Sequence, residues 1–382
     1  MKPKIKIISK ACDVRLHIII IFCVVFIIYL ISSPGVTPYN YFTRLADAFL
    51  HGKYYISDSP SWLSELIPIG IHKFAIVYPP APAILLIPFV AIFGVSFPQQ
   101  IFAHLVGAGI VLCSAILSYE ITRNRTKTLW IILLVGFGNI IWFMSSVGSV
   151  WLLGQITAVL FLLLAILALE KKLNPILVGV FLGIAFLSRI ELIFALPFFY
   201  FLTKKNKWQL ITSFTFFVLF YLFYNFLRFN NPFETGYTLI PGVLKEPWYD
   251  KGILSLSYIP RNLKVMFLSL PHLIPSWGGL AIWITSPTFI YSFFAPFKKR
   301  SVKLAWFSIF CILLIICMHG ETGYAQFGYR FAVDFYPFLI FLIIKYLSKH
   351  NLKWHHWVLL FLSILVNSWG VILINKFGLV LP

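Results

Sequence analysis

Acidic side chains are scarce in this chain of 382 residues: 12 Asp and Glu stand against 31 Lys and Arg. Charge of either sign is scarce too, at 11% of residues, where a soluble globular domain carries about 25%. That shortage excludes a soluble fold. Cysteine is rare and badly placed for cross-linking. Cys12 lies in the basic N-terminus, and Cys23, Cys113, Cys311 and Cys317 lie in apolar runs, so neither a disulfide framework nor a metal spacing follows. There is no P-loop, no Gly-x-Gly-x-x-Gly after a strand, no zinc spacing and no Gly-x-Ser-x-Gly elbow. A nucleotide-fed soluble active site is thereby unsupported, and a divalent metal is left open. No segment is of low complexity, and no internal repeat of the kind built into many transporters is visible.

Apolar residues, by contrast, make up 60% of the chain, and the mean hydropathy is +0.89. The net charge of +19 does not point to nucleic acid, because the basic residues gather between apolar runs. Lys2 to Arg15, Arg123 to Lys127, Lys171–Lys172, Lys204 to Lys207, Lys298 to Lys303 and Lys345 to Lys353 hold 20 of the 31. Lys and Arg mark cytoplasmic loops. The reading is an all-α polytopic protein of the cell inner (plasma) membrane, a single domain over 1–382 with about eleven transmembrane helices. Its N-terminus is cytoplasmic, and the run from Leu16 to Ser33 is a retained first span. Residues 174–203 lie between two basic clusters, so the chain must enter and return, with its turn at Ser188-Arg189-Ile190-Glu191. Pro79, Pro80, Pro82 and Pro88 predict a broken or re-entrant segment over 78–95.

With this topology nine of the twelve acids fall on the outer side. Acids contribute little to the insertion rule, so their segregation marks that side for a site. The first outer loop, 34–77, predicts amphipathic helices lying in the interface. There Asn40, Arg44, Asp47 and His51 form one polar stripe. The stripe is either the solvated face of an anchor helix or a site in which Asp47 is a base tuned by Arg44 or His51. Asp58 sits in a Ser/Pro turn, and Glu65 is flanked by apolar residues. The large outer loop, 228–278, reads as ordered. Arg189 is either compensated by Glu191 or aimed at an anionic group. In GYAQFGYRFAVDFYPFLIFLI, from Gly323 to Ile343, the candidates are Gln326, Tyr329, Arg330 and Asp334. On a helix Arg330 and Asp334 share a face, which would let Asp334 orient Arg330 toward a phosphate.

NYFTRLADAFLHGKYYI, VYPPAPAILLIPFVAIFG, SVGSVWLLGQ, GVFLGIAFLSRIELIFALPFF, FNNPFETGY and FGYRFAVDFYPFL, in that order, resemble the bacterial integral-membrane glycosyltransferases of the GT-C fold. These are relatives of the dolichyl-phosphate-mannose–protein mannosyltransferases. The resemblance implies a polyprenyl-phosphate sugar as donor and an extracytoplasmic glycan, lipid or protein as acceptor. It implies membrane lipids as surroundings, no nucleic acid, and an inverting displacement. It also implies an acidic base in the first outer loop and basic residues on the lipid phosphate. Relatives often carry an acid shortly before the tyrosine matching Tyr41, where this chain has Thr37-Pro38-Tyr39-Asn40. Asp47 is therefore the expected base, with Glu65 in reserve. Arg44, His51, Arg189, Gln326, Tyr329, Arg330 and Asp334 are the expected substrate-binding residues. The competing expectations are a transporter or flippase of lipid-linked sugars, and a ligase or polymerase of lipid-linked glycans.

Overall fold

The computed structural model describes residues 19–270, 279–323 and 326–378. The cluster Lys2 to Arg15, with Cys12 and Asp13, lies outside the described residues, as does the end of the large outer loop at 271–278. Fifteen helices follow one another: α1 (Ile19–Ile31), α2 (Tyr41–Leu50), α3 (Ala81–Phe93), α4 (Gln99–Thr122), α5 (Arg125–Phe137), α6 (Ile141–Val147), α7 (Val150–Glu170), α8 (Pro175–Phe186), α9 (Leu196–Leu202), α10 (Lys207–Phe229), α11 (Ile259–Leu268), α12 (Ile282–Thr285), α13 (Arg300–Cys317), α14 (Tyr336–Leu347) and α15 (Trp354–Phe377). Among the described residues, α4, α7, α10, α13 and α15 are long and apolar enough to cross a membrane, and the bent pair α5–α6 makes a sixth. The chain is a multi-pass membrane protein.

Every residue of α14 is buried. A helix that is apolar all round belongs inside a bundle, and α4, α5, α7 and α13 surround this one. Among the described residues the basic clusters meet at one end of the bundle. There Lys345 pairs with Glu170 at 2.8 Å and the Lys127 ammonium donates to the Leu347 carbonyl.

Helix α8 rests on α10 through Gly179 and Gly183, one turn apart. A Cβ on Gly179 would stand 2.6 Å from the Leu210 carbonyl, and one on Gly183 2.2 Å from the Phe217 ring. Small residues allow this approach, and close packing is what holds helices together in lipid. Gly179→Val should cost roughly 1–3 kcal/mol through overpacking. It would be seen as a lower thermal-inactivation midpoint of the detergent-solubilised protein; an unchanged midpoint would show that the seam is slack.

Several local expectations change. Helix α2 forms, and Gly52 ends it at φ +67°. Its apolar face, however, lies on protein, with Tyr41, Leu45 and Ala46 at 0% exposure and α3 as the partner. The segment after it is a β-hairpin, β1 (Leu66–Gly70) against β2 (Lys73–Ile76), antiparallel with Leu66 opposite Ile76. It replaces the further interfacial helix, because Leu66, Ile67, Ala75 and Ile76 are drawn into the core. The prolines of 78–95 do not break a helix. Pro80 precedes the first turn and Pro82 sits in it, where no donor is lost, and only Pro88 is internal. At 13 residues α3 reaches about 20 Å, short of the roughly 30 Å hydrocarbon core.

The run 129–144 bends by 51° between α5 and α6. Asn139 donates to the Leu134 and Val135 carbonyls and accepts from the Ile141 N–H, and the Tyr29 hydroxyl donates to the Gly136 carbonyl. The backbone groups freed by the bend are thus satisfied, as they must be at membrane depth. The run 279–296 is likewise interrupted. It holds the four-residue α12 and a 3-10 stretch from Pro287 to Phe294.

Candidate active site

The site lies at the end of the bundle opposite the basic clusters, where α7 begins. Burial of the hairpin strands fixes Glu65, the residue just before β1. Its backbone N–H donates to the Tyr41 hydroxyl at 3.1 Å. Its two carboxylate oxygens accept from the Trp151 indole N–H, at 3.0 and 3.3 Å. Trp151 stands in the first turn of α7 with the Tyr39 ring against it, 4.7 Å between centroids. Burial pushes the Glu65 carboxyl up to about 7, against the Trp151 hydrogen bond, which lowers it. Glu321 and Glu246 push it further up, and Arg330 pulls it down.

Two guanidinium groups stand nearby on other elements: Arg330 acts on this carboxylate, and Arg189 acts on Arg330. Arg189 occupies the tip between α8 and the 3-10 stretch Ile190–Ala195, where the flanking basic clusters require a turn. It is ion-paired twice, to Glu191 and, at 2.9 Å, to Asp334. Arg330 begins a second 3-10 stretch, Arg330–Phe335, ahead of α14. Its side chain is differently placed. The residue is 6% exposed, its Nε is buried without a hydrogen-bond partner, and no carboxylate lies within ion-pair distance among the described residues. Its backbone is held from both sides: the N–H donates to Gln326 Oε1 at 3.0 Å, and the carbonyl accepts from Gln155 Nε2 at 3.0 Å. The Phe331 ring takes Arg330 at 4.7 Å and Arg189 at 5.9 Å from its centroid.

This corrects the expected pairing of Arg330 with Asp334. A shared face at i, i+4 requires 3.6 residues per turn. In a 3-10 helix, with three per turn, residues four apart lie about 120° apart. Asp334 therefore turns to Arg189, and Arg330 is left without a direct ion pair among the described residues.

The polar stripe of α2 forms a separate network. Arg44 donates to Asn40 Oδ1 at 3.0 Å and pairs with Asp58. His51 Nδ1 lies 2.8 Å from the Asp47 carbonyl and 3.8 Å from Asp47 Oδ2, with side chains 66% and 39% exposed. Asp47 and His51 thus stand on the half-exposed outer face of α2, while Arg330 acts on both Glu65 and Arg189. Tyr329 is buried and donates its hydroxyl to Asn262 Oδ1 at 2.7 Å, a strut to α11. Gln326 also donates to the Thr322 carbonyl at 2.7 Å.

Three further residues of the cluster carry no site signal in the sequence. Trp151 reads as an ordinary interfacial tryptophan. His319 reads as the end of an apolar span and Tyr249 as one of many loop aromatics, while Tyr237 is one of the unranked candidates of the large outer loop, with Asn225, Glu234, Tyr258 and Arg261. In the structure the His319 ring stands 5.5 Å from Phe331, 5.7 Å from Tyr249 and 6.4 Å from Tyr237. Burial lowers the His319 imidazole to about 4, so the ring is neutral at pH 7. Beside it burial raises the Glu321 carboxyl, which the nearby Arg330 lowers.

The Arg189–Asp334 pair should serve stability first. Removing one member of a buried pair costs about 3–5 kcal/mol, because the other is left uncompensated. Arg189→Ala strands two carboxylates and should approach that cost, while Asp334→Asn leaves Glu191 on Arg189 and should cost less. Comparing the two variants by thermal unfolding in one detergent checks the order; equal losses would contradict it.

Among the described residues no group of three or more His, Cys, Asp or Glu is arranged to hold a metal ion. A hollow of about 330 Å³ lies at the far end of α7, lined by Glu120, Glu170, Lys299, Lys345 and Lys349. Trp151 and Glu170, at the two ends of that helix, are about 28 Å apart, so this hollow is no part of the cluster.

No family model and no curated relative matches the sequence. Solved structures do. ArnT from Cupriavidus metallidurans, crystallised with undecaprenyl phosphate, aligns over 95% of this chain and 65% of its own, at 11% identity and a TM-score of 0.55. An oligosaccharyltransferase from Archaeoglobus fulgidus aligns over 95% of this chain and 56% of its own, at 13% identity and a TM-score of 0.49. The chain thus spans less than two thirds of the length of either. At such identity the likeness to ArnT is one of architecture: the chain has the GT-C fold.

Proposed function

We propose that this protein is a membrane glycosyltransferase that moves a sugar from a polyprenyl-phosphate donor to an extracytoplasmic acceptor with inversion. One observation carries the reading: Arg330 is a buried, rigidly mounted guanidinium in no direct ion pair among the described residues, and the Glu321 and Glu65 carboxyls, the latter with an affinity for protons near neutrality, act on it from a distance. A buried cation without a direct ion pair is a seat for an anion, and the planar fork of arginine suits phosphate. ArnT, whose fold the chain shares, is crystallised with such a lipid phosphate.

In the proposed reaction the acceptor hydroxyl attacks the anomeric carbon from the face opposite the phosphate. The new carbon–oxygen bond forms as the bond to the phosphate oxygen breaks. The hydroxyl proton passes to Glu65, and polyprenyl phosphate departs with its charge on Arg330. A single displacement inverts the anomeric centre. The test is to incubate the purified protein in lipid nanodiscs with short-chain polyprenyl-phosphate sugars and to measure free polyprenyl phosphate. Its release, dependent on an acceptor, is the expected result. Movement of the intact donor across a bilayer without cleavage would replace the transferase with a transporter.

A further inference from the structure

Helix α7 reaches both halves of this cluster with two side chains. Trp151 and Gln155 are four residues apart and share a face. Trp151 spends its one N–H on the Glu65 carboxylate, and Gln155 spends its amide on the Arg330 carbonyl. The sequence offers both only as a tryptophan and a glutamine at the mouth of a span. The helix beneath them is firmly set: fourteen of its 21 residues are buried, Gln155 among them at 0% exposure. Among the described residues, Trp151 is the only hydrogen-bond donor to the Glu65 side chain. The other groups acting on that carboxyl do so across space. They are Glu321 and Arg330 from the segment after α13, and Glu246 from the large loop. Glu65 in turn acts on Tyr41 of α2 and on Tyr237 and Tyr249 of the large loop.

We propose that Trp151 and Gln155 are positioning residues: one turn of α7 holds the proton acceptor Glu65 and the anion seat Arg330 at a fixed separation. The inference rests on the transferase reading for the meaning of that separation. Its two contacts can be tested without turnover. Trp151 orients the carboxylate and favours its charged form, since a donor to a carboxylate stabilises the ion. Gln155 anchors the backbone from which the Arg330 guanidinium projects, in a stretch without the regular bonding of an α-helix.

The experiment follows the protonation of Glu65 by infrared difference spectroscopy on the full-length protein in nanodiscs. The carboxyl band is assigned by its loss in Glu65→Gln. Trp151→Phe should raise the midpoint by about one pH unit, the size expected for one charge-assisted hydrogen bond. Trp151→His, which restores a ring N–H, should recover part of the shift. Gln155→Leu should leave the midpoint in place and weaken binding of a short-chain polyprenyl phosphate by about tenfold in calorimetry. A midpoint unmoved in Trp151→Phe overturns the role of Trp151. Unchanged phosphate affinity in Gln155→Leu, or no binding by the unsubstituted protein, overturns that of Gln155. If both contacts behave as described and no sugar donor is ever cleaved, the positioning stands and the transferase reading falls.

Discussion

Arg330→Ala should lower acceptor-dependent release of polyprenyl phosphate by about 10²–10³-fold, the usual loss when one preorganised donor to a developing anion is removed. The magnitude follows from the setting. The guanidinium is 6% exposed and in no direct ion pair among the described residues, so its field is little screened by water, and the Glu321 and Glu65 carboxyls act on it only from a distance. Arg330→Lys keeps the charge as a point source and loses the planar fork. It should recover part of the rate and show its remaining deficit in the donor KM. Arg189 offers the contrast. Its charge is already matched by Glu191 and Asp334, so at a temperature where Arg189→Ala remains folded its loss of rate should be much smaller than that of Arg330→Ala. The comparison needs single-turnover rates for the three variants. Equal losses for Arg189→Ala and Arg330→Ala would remove the distinction between a structural and a functional guanidinium.

That distinction is not legible in the sequence, where both arginines have an acid nearby: Glu191 two residues from one, Asp334 four residues from the other. Which acid goes where depends on whether residues 330–335 wind as an α-helix or a 3-10 helix. Tertiary contacts with α7, α13 and α14 decide that. What the sequence does carry is the coarse geography. Basic clusters set the turn at Arg189, and apolar neighbours mark Glu65 for burial. The run from Tyr336 onward is uniformly apolar because α14 is central. The sequence misleads where amphipathic pattern substitutes for packing. The stripe Asn40, Arg44, Asp47 and His51 is real, yet its members satisfy one another, and Asp58 joins from the following turn. The hairpin 66–76 is hidden because alternation over four or five residues is too short to stand out among apolar runs.

Glu65→Gln should lower the rate by about 10²–10⁴-fold, the range for loss of a positioned base, and should also change the shape of the pH profile. A base must be ionised to accept the hydroxyl proton. With the Glu65 carboxyl held at about 7 by burial, the active carboxylate is a minor species at pH 6 and dominant at pH 8. The kcat/KM of the unsubstituted protein should therefore rise with pH through a midpoint near 7 and level off above it, and the residual activity of Glu65→Gln should lack that limb. Asp47→Asn decides between the two first-loop acids. Asp47 is 39% exposed on the outer face of α2 and, among the described residues, paired only with His51, so its amide should leave the limb where it is. Were the limb instead lost in Asp47→Asn and kept in Glu65→Gln, the base would be Asp47. The first outer loop would then have to bring the outer face of α2 over the anion seat, a rearrangement that the burial of Tyr41, Phe42 and Leu45 on the opposite face opposes.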